Sequence, residues 1–284
     1  MMKYWQTSRR KISLEKPLIM AILNITPDSF SDGGKFFSID NALFQAEKLI
    51  SEGANILDIG GESTRPNSAR VSAEEEVKRV VPIIEAICKR FDLPISIDTS
   101  KSQVAAKSVE VGAEIINDVS GLRFDEKIGE IAAQNNSGLV LMHLRGEFET
   151  MHKQEPVSDI LTEVSRGFRQ SLEIANEYRV KNEQIALDVG IGFSKTFDQN
   201  LELIARLTEL CVQFKDFPML VGTSRKSFIG KILDEPNTEK RLQGSLASAA
   251  IAIWNGAKIV RVHDVHETVQ AMNIVEEIKK YKTL

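Results

Sequence analysis

Two basic residues stand side by side in Thr223-Ser224-Arg225-Lys226-Ser227, just after the apolar run Met219–Val221 and a glycine. Cations at such a junction suit an anion. A phosphate-cradling P-loop is excluded by spacing: it needs Gly-x4-Gly-Lys-Ser/Thr, and Gly222 and Gly230 lie too far apart. A second basic pair, Arg261 and His263, flanks Val262, so both side chains leave one face of an extended segment. Such a pair can stabilise negative charge growing on a phosphate group. His263-x-x-His266 raises zinc, but no Cys or third His stands at ligand spacing, and zinc is set aside. Asn24, Asp98, Asn117, Asp118, His143 and Asp188 add carboxylates, amides and an imidazole. No Ser-His-Asp or Cys-His arrangement accompanies them.

These groups share a position. Each stands at or just beyond the end of a short β-rich run: 18–24, 56–60, 95–98, 115–118, 139–143, 185–188, 219–222 or 259–262. Helical periodicity follows each run. Ser72-x-x-Glu75 is a capping box opening a helix with Val77, Val80, Val81, Ile84 and Cys88 on one face. Ser102 is expected to cap the next helix and Ser158 to open a long one; further helices are expected over about 40–52, 125–135, 198–212, 226–233, 239–255 and 266–281. Eight strands alternating with helices over some 260 residues predict a (β/α)8 TIM barrel with a parallel eight-stranded barrel, where strand C-terminal ends carry the chemistry. An open doubly wound sheet would announce its ligand with a glycine-rich first turn, and Gly33-Gly34 lies too far beyond the first strand for that. One domain over 1–284 is expected, with its core over about 18–280 and residues 1–17 as an N-terminal extension. The first and second strand-to-helix connections, 24–39 and 60–71, are long and rich in turn residues, as functional loops are.

The 284 residues are 42% hydrophobic and 27% charged, enough for a full core, and the net charge of −4 gives no electrostatic footprint for nucleic acid. Cys88 and Cys211 have no Cys-x-x-Cys neighbour, which fits a reducing, cytoplasmic setting. The basic N-terminal stretch lacks the apolar core of a signal peptide. The run Leu246–Trp254 is too short to span a bilayer.

The segments NITPDSFSDGG, GANILDIGGESTRP, ISIDTSKSQVA, INDVSGL, LVLMH, GIGF, LVGTSRKSFIG and IVRVHDV, in that order over about 18–270, resemble the dihydropteroate synthases, pterin-binding enzymes of folate synthesis. The resemblance implies the same barrel and a reaction joining 6-hydroxymethyl-7,8-dihydropterin diphosphate to p-aminobenzoate. By it, Asp188 presents a carboxylate to the adjacent N–H donors of the pterin edge. Asp98, Asn117 and Lys226 are further pterin readers, and Met142 and Phe193 shape the ring slot. Arg261, His263, Thr64 and Asn24 match the diphosphate positions, and Asn24 the magnesium-associated one, a neutral oxygen ligand suited to Mg2+ held mostly by water and phosphate. Phe30, Arg65, Pro66, Phe193 and Ser227 are implied around p-aminobenzoate. Asp98, Lys226, Arg261 and His263 form the implied catalytic group. Arg225 is expected to brace its loop. A structural carboxylate paired with Lys195 or Lys226 is the competing reading of Asp188.

Departures from the family pattern fall at Val189, where proline is usual, at Ser194, where glycine is frequent, and at Glu147-Phe148-Glu149 in the fifth loop. The implied partners are two small-molecule substrates and a second copy of the chain, with no nucleic acid and no membrane. Two rivals share the pterin readers: a methyltetrahydrofolate methyltransferase, which has no use for the diphosphate cations, and a pterin-binding protein without catalysis.

Overall fold

Strands buried on both faces read as unbroken apolar runs, and the runs above close into one barrel in the computed structural model. It describes residues 2–25, 35–63, 68, 70–151 and 153–281, without the side chains of 35–38. A hairpin of β1 (Tyr4–Gln6) and β2 (Lys11–Ser13) comes first. The order then runs β3 (Leu18–Asn24), α1 (Lys35–Ser51), β4 (Ile56–Gly60), α2 (Ala73–Arg90), β5 (Ile95–Asp98), α3 (Ser102–Glu110), β6 (Ile115–Asp118), α4 (Lys127–Gln134), β7 (Gly138–Met142) and α5 (Ile160–Glu177). It continues with β8 (Ile185–Asp188), α6 (Phe197–Ala205), α7 (Leu207–Gln213), β9 (Met219–Val221), α8 (Ser227–Leu233), α9 (Leu242–Trp254), β10 (Ile259–Val262) and α10 (Val265–Lys279). Strands β3 to β10 pair in parallel with their sequence neighbours, and β10 returns to β3 to close the ring.

Side-chain alternation decides what each strand offers the interior. Ile56 joins the cluster inside the barrel, whereas Leu57 and Ile59 join the core facing the helices. Asp58 and Gly60 therefore point inward. The same parity turns Asn24, Ser96, Asp98, Asn117, Met142, Asp188 and Arg261 inward, because Met20, Ile115, Val140, Ala186 and Ile259 are the inner residues of their strands. Along β3, β6, β8 and β10 the inner residues near the N-terminal end are apolar and the last inner residue is polar. One strand thus serves both packing and site.

The residues ahead of β3 pack against the barrel. Trp5 is fully buried against the inner cluster and its Nε1 donates to the Gln184 carbonyl at 2.7 Å, so the hairpin stoppers the barrel opposite the polar rim. Thr7 and Arg10 bond the buried Glu114 carboxylate at 2.7 and 3.1 Å. Other expectations are corrected by local competition. Ser102 is the first residue of α3 rather than its cap, and its N–H donates to Asp125 at 2.8 Å. Asp159, not Ser158, caps α5, accepting from the Thr162 N–H at 3.0 Å. The single helix expected over 198–212 is two, because Asn255 Nδ2 takes the carbonyls of Ile204 and Ala205 at 2.8 and 3.3 Å. Helix α1 begins at Lys35, so part of the expected first loop is helical.

Candidate functional site

The strand register carries a row of polar side chains around the rim: Asn24 lies opposite Gly60, Gly60 opposite Asp98, and Asp98 opposite Asn117. Gly60 leaves room between its neighbours. A Cβ there would stand 3.6 Å from Asp98 Oδ2 and 3.7 Å from Asn24 Oδ1, so those two oxygens flank one glycine. Arg261 reaches across from β10, donating from Nε to Asp58 Oδ2 and from Nη2 to Asp98 Oδ2, both at 2.6 Å. Asn117 Nδ2 donates to the same Asp58 oxygen at 3.1 Å. Asp58, Asp98, Asn117 and Arg261 are thus one network with a single guanidinium between two carboxylates.

Burial pushes the Asp98 carboxyl up to about 7; Arg261 opposes this, and the like charge of Asp58 adds to it. Arg261 is held above its already high value by those carboxylates, against burial.

Asp188 faces this network from β8. Its Oδ1 accepts the Gly190 N–H at 2.7 Å, and burial raises its pKa against that bond and the attraction of Lys226 and Lys195. Neither lysine forms a salt bridge with Asp188, although both attract it electrostatically. Lys195 Nζ donates to the carbonyls of His143 and Phe193 at 3.1 and 2.9 Å, and burial lowers its pKa to about 7. Lys226 Nζ stands 4.3 Å from the Phe193 ring centroid, and burial lowers it to about 8, with Asp188 opposing. Gly192, at φ +83°, admits that side chain; a Cβ there would lie 3.0 Å from Lys226 Cδ. Met142 and Phe193 belong to one apolar wall with Val119, Leu144, Phe148 and Met151. A flat ring carrying polar edges, set between that wall and Asp98, Asn117 and Asp188, meets the requirements of the slot.

The remaining candidates divide. His263, the residue after β10, sits 3.0 Å from Ser224 Oγ through Nδ1. Arg225, at φ +58°, forks onto Asp264 with contacts at 3.1 and 2.5 Å, so it braces the loop and leaves Lys226 as the cation of its pair that faces the site. Ser227 is exposed at the first residue of α8. Asp118 and His143 turn away from the mouth, as their parity requires. Asp118 accepts from Ser120 and Leu122 in its own turn. His143 packs beside Gly167 of α5, and burial drives its pKa well down. Phe30, Thr64, Arg65 and Pro66 lie outside the described residues.

Asp58, and the part that Lys195 plays, escaped sequence reasoning. Asp58 was signalled by an acid at an inward position of the otherwise apolar ILDIG. Lys195 acts on backbone carbonyls, which no side-chain pattern records.

The family model described as "Pterin binding enzyme" matches residues 20–263. A dihydropteroate synthase of Synechocystis sp. is 46% identical over 264 residues, covering 93% of this chain and 91% of the relative. Among solved structures, a Clostridium difficile dihydropteroate synthase in the presence of pteroic acid superposes with a TM-score of 0.88 at 40% identity, covering 98% of this chain and 99% of that one. A Xanthomonas albilineans dihydropteroate synthase with 4-aminobenzoic acid gives a TM-score of 0.90 at 36% identity, covering 97% and 98%.

Proposed function

The chain belongs to the dihydropteroate synthases of the pterin-binding enzyme family, and from that membership we propose how the residues of its barrel mouth divide the work of the reaction. The enzyme joins 6-hydroxymethyl-7,8-dihydropterin diphosphate to p-aminobenzoate. The exocyclic C–O bond breaks with its electron pair leaving on the diphosphate. The lone pair of the aryl amine forms the new C–N bond, and the amine nitrogen gives up one proton. The observation that carries the division of roles is the convergence of inward-facing Asp98, Asn117, Asp188, Lys226 and Arg261 on one opening.

Asp188 keeps one oxygen on Gly190, which fixes its plane, and offers lone pairs to the pterin N–H donors. Asp98 and Asn117 read the opposite edge, Lys226 donates to the ring's carbonyl and nitrogen side, and Met142 with Phe193 covers its face. Electron release from the reduced ring supports positive charge at the exocyclic carbon, and Asp98 favours that charge. Arg261 and His263 face the leaving group. The amine is neutral near pH 7 and needs aim and desolvation rather than a strong base. Phe30, Thr64, Arg65, Pro66 and Ser227 serve the p-aminobenzoate and diphosphate end.

Mg2+ fits this rim as a companion of the diphosphate. Among the described residues no three His, Cys, Asp or Glu side chains form a metal-holding group, and Asn24 offers a neutral oxygen beside Asp98. Asn24 with diphosphate and water would hold the ion, which would supply positive charge to the departing oxygens.

A homodimer is proposed on exposed Ile251 and Trp254 of α9 and Ile274 and Ile278 of α10, helices that pack side by side. A cytoplasmic setting is proposed on the unpaired Cys88 and Cys211. No helix among the described residues is long and apolar enough to cross a membrane. The decisive experiment mixes purified protein with both substrates and Mg2+ and follows diphosphate. Release matched one-to-one by 7,8-dihydropteroate is expected; release without that product, or none, would overturn the proposal.

A further inference from the structure

Outside the substrate slot, one buried charged cluster has no part in the chemistry above. Lys101, just beyond β5, places Nζ 2.9 Å from Glu62 Oε2 and 2.5 Å from Glu76 Oε2. The two carboxylates are 8% and 1% exposed and the lysine 13%. Glu62 stands at the start of the connection 61–71, and its other oxygen accepts the Val71 N–H, at the end of that connection, at 2.6 Å. One carboxylate therefore ties the two ends of the connection to each other and to the neighbouring strand end.

Three further contacts fasten the same place. Arg79 donates to the Gly61 carbonyl at 3.1 Å. Gly61 lies so close to α2 that a Cβ would stand 2.7 Å from Val80 Cγ1 and 3.0 Å from Glu76 Cγ. Ser68 bonds Ser63 across the connection at 2.9 Å.

A bare stability role is a poor account of this cluster. Two carboxylates on one ammonium leave an excess buried charge, and apolar side chains of similar volume commonly stabilise as well or better. What a satisfied polar network adds is a single geometry. What is fixed here is the placing of Glu62 and Val71, the two ends between which Thr64, Arg65 and Pro66 fall in the sequence.

We propose that Lys101, acting through Glu62, is a positioning residue that fixes the two ends of the connection 61–71, Glu62 and Val71, relative to each other and to β5. It thereby sets affinity for the aryl amine while touching neither substrate. This rests on the reading that Thr64, Arg65 and Pro66 serve the second substrate, so its test carries a control for that reading.

Steady-state kinetics with both substrates varied are measured for Lys101→Met, Lys101→Arg, Glu62→Gln and, as control, Arg65→Ala. Displacement of aligned groups by about 1 Å costs on the order of 100-fold, so Lys101→Met is expected to raise KM for p-aminobenzoate by roughly 10- to 100-fold. KM for the pterin diphosphate should stay within about twofold. Lys101→Arg should restore most of the loss, because a guanidinium can still bridge both carboxylates. Glu62→Gln keeps an acceptor for Val71 but loses the ammonium, and should fall between. Unchanged p-aminobenzoate KM in Lys101→Met beside a raised one in Arg65→Ala overturns the positioning role alone. Silence in both overturns it together with the reading beneath it. Equal rises in both KM values also overturn it. Should Lys101→Met fail to fold, Glu62→Gln decides, and a p-aminobenzoate KM unchanged there overturns the proposal.

Discussion

Replacing Asp58 by asparagine tests whether the rim network is one device. Asp58 is fully buried, and its Oδ2 holds both Arg261 Nε at 2.6 Å and Asn117 Nδ2 at 3.1 Å. Asparagine keeps the shape and one acceptor but removes the charge. Breaking a buried ion pair outright costs about 3–5 kcal/mol. Here Asp98 remains as a counter-ion to Arg261, so the loss is that of a charge-assisted hydrogen bond, about 1.5–3 kcal/mol. Expressed wholly in kcat/KM for the pterin diphosphate, that is a fall of roughly 10- to 150-fold. A second readout separates this from general damage. The Asp58 charge helps hold Asp98 up at about 7. With it gone, and with Arg261 left to Asp98 alone, the Asp98 carboxyl drops toward the ordinary carboxylate range. The acid limb of the pterin kcat/KM profile, assigned to Asp98 ionising, should move to lower pH. A variant within twofold of the parent, with its acid limb still near 7, would refute the reasoning.

Lys226→Ala should leave the barrel folded and raise KM for the pterin diphosphate by about 100-fold, read by initial rates. Because burial lowers Lys226 from 10.5 to about 8, the unfolded chain binds more protons between those values, and this group makes stability rise with pH across that window. Urea midpoints measured through it should lose that rise in Lys226→Ala. Trp5→Ala empties the stopper beneath the barrel and should lower stability by about 3–5 kcal/mol, visible as a lower urea midpoint, with kcat unchanged under native conditions. Asn24→Ala should raise the Mg2+ concentration giving half-maximal rate while leaving pterin binding without metal, measured by calorimetry, unaltered.

The barrel was legible because parallel strands buried on both faces have only one kind of sequence to use. β3, β4, β5, β6, β8 and β10 fall where their apolar runs fall. Strand ends also named most of the mouth, since inward parity at a C-terminal end leaves a side chain little else to face. What escaped depends on partners distant in sequence. Nothing local announces that Asn255 will take carbonyls from the middle of an expected helix, or that Trp5 will reach Gln184 across 179 residues. Parity also explains the two strand-end groups that turn out to be structural. Asp118 and His143 follow inward-facing Asn117 and Met142 by one residue, and a step of one reverses the face.

The rim's cations bear on the proposed Mg2+. Among the described residues Arg261 lies between Asp58 and Asp98, Lys195 is held by two carbonyls, Arg225 by Asp264, and Lys101 by Glu62 and Glu76. Lys226 stands over the Phe193 ring within the attraction of Asp188. A diphosphate entering this mouth meets a guanidinium already shared between two carboxylates and three carboxylates, Asp58, Asp98 and Asp188, that repel it. Pulling Arg261 off both carboxylates would strand two buried charges, which costs several kcal/mol. A divalent cation arriving on the diphosphate would avoid that rearrangement: it would cancel charge at the oxygens themselves, and Arg261 would face the leaving group without letting go of Asp58 and Asp98. On the proposed role the metal would act only on the substrate that bears the diphosphate, so Mg2+ is expected to tighten binding of the pterin diphosphate far more than that of the pterin alcohol lacking it. Equal tightening of both, measured by calorimetry, would place the ion's role elsewhere.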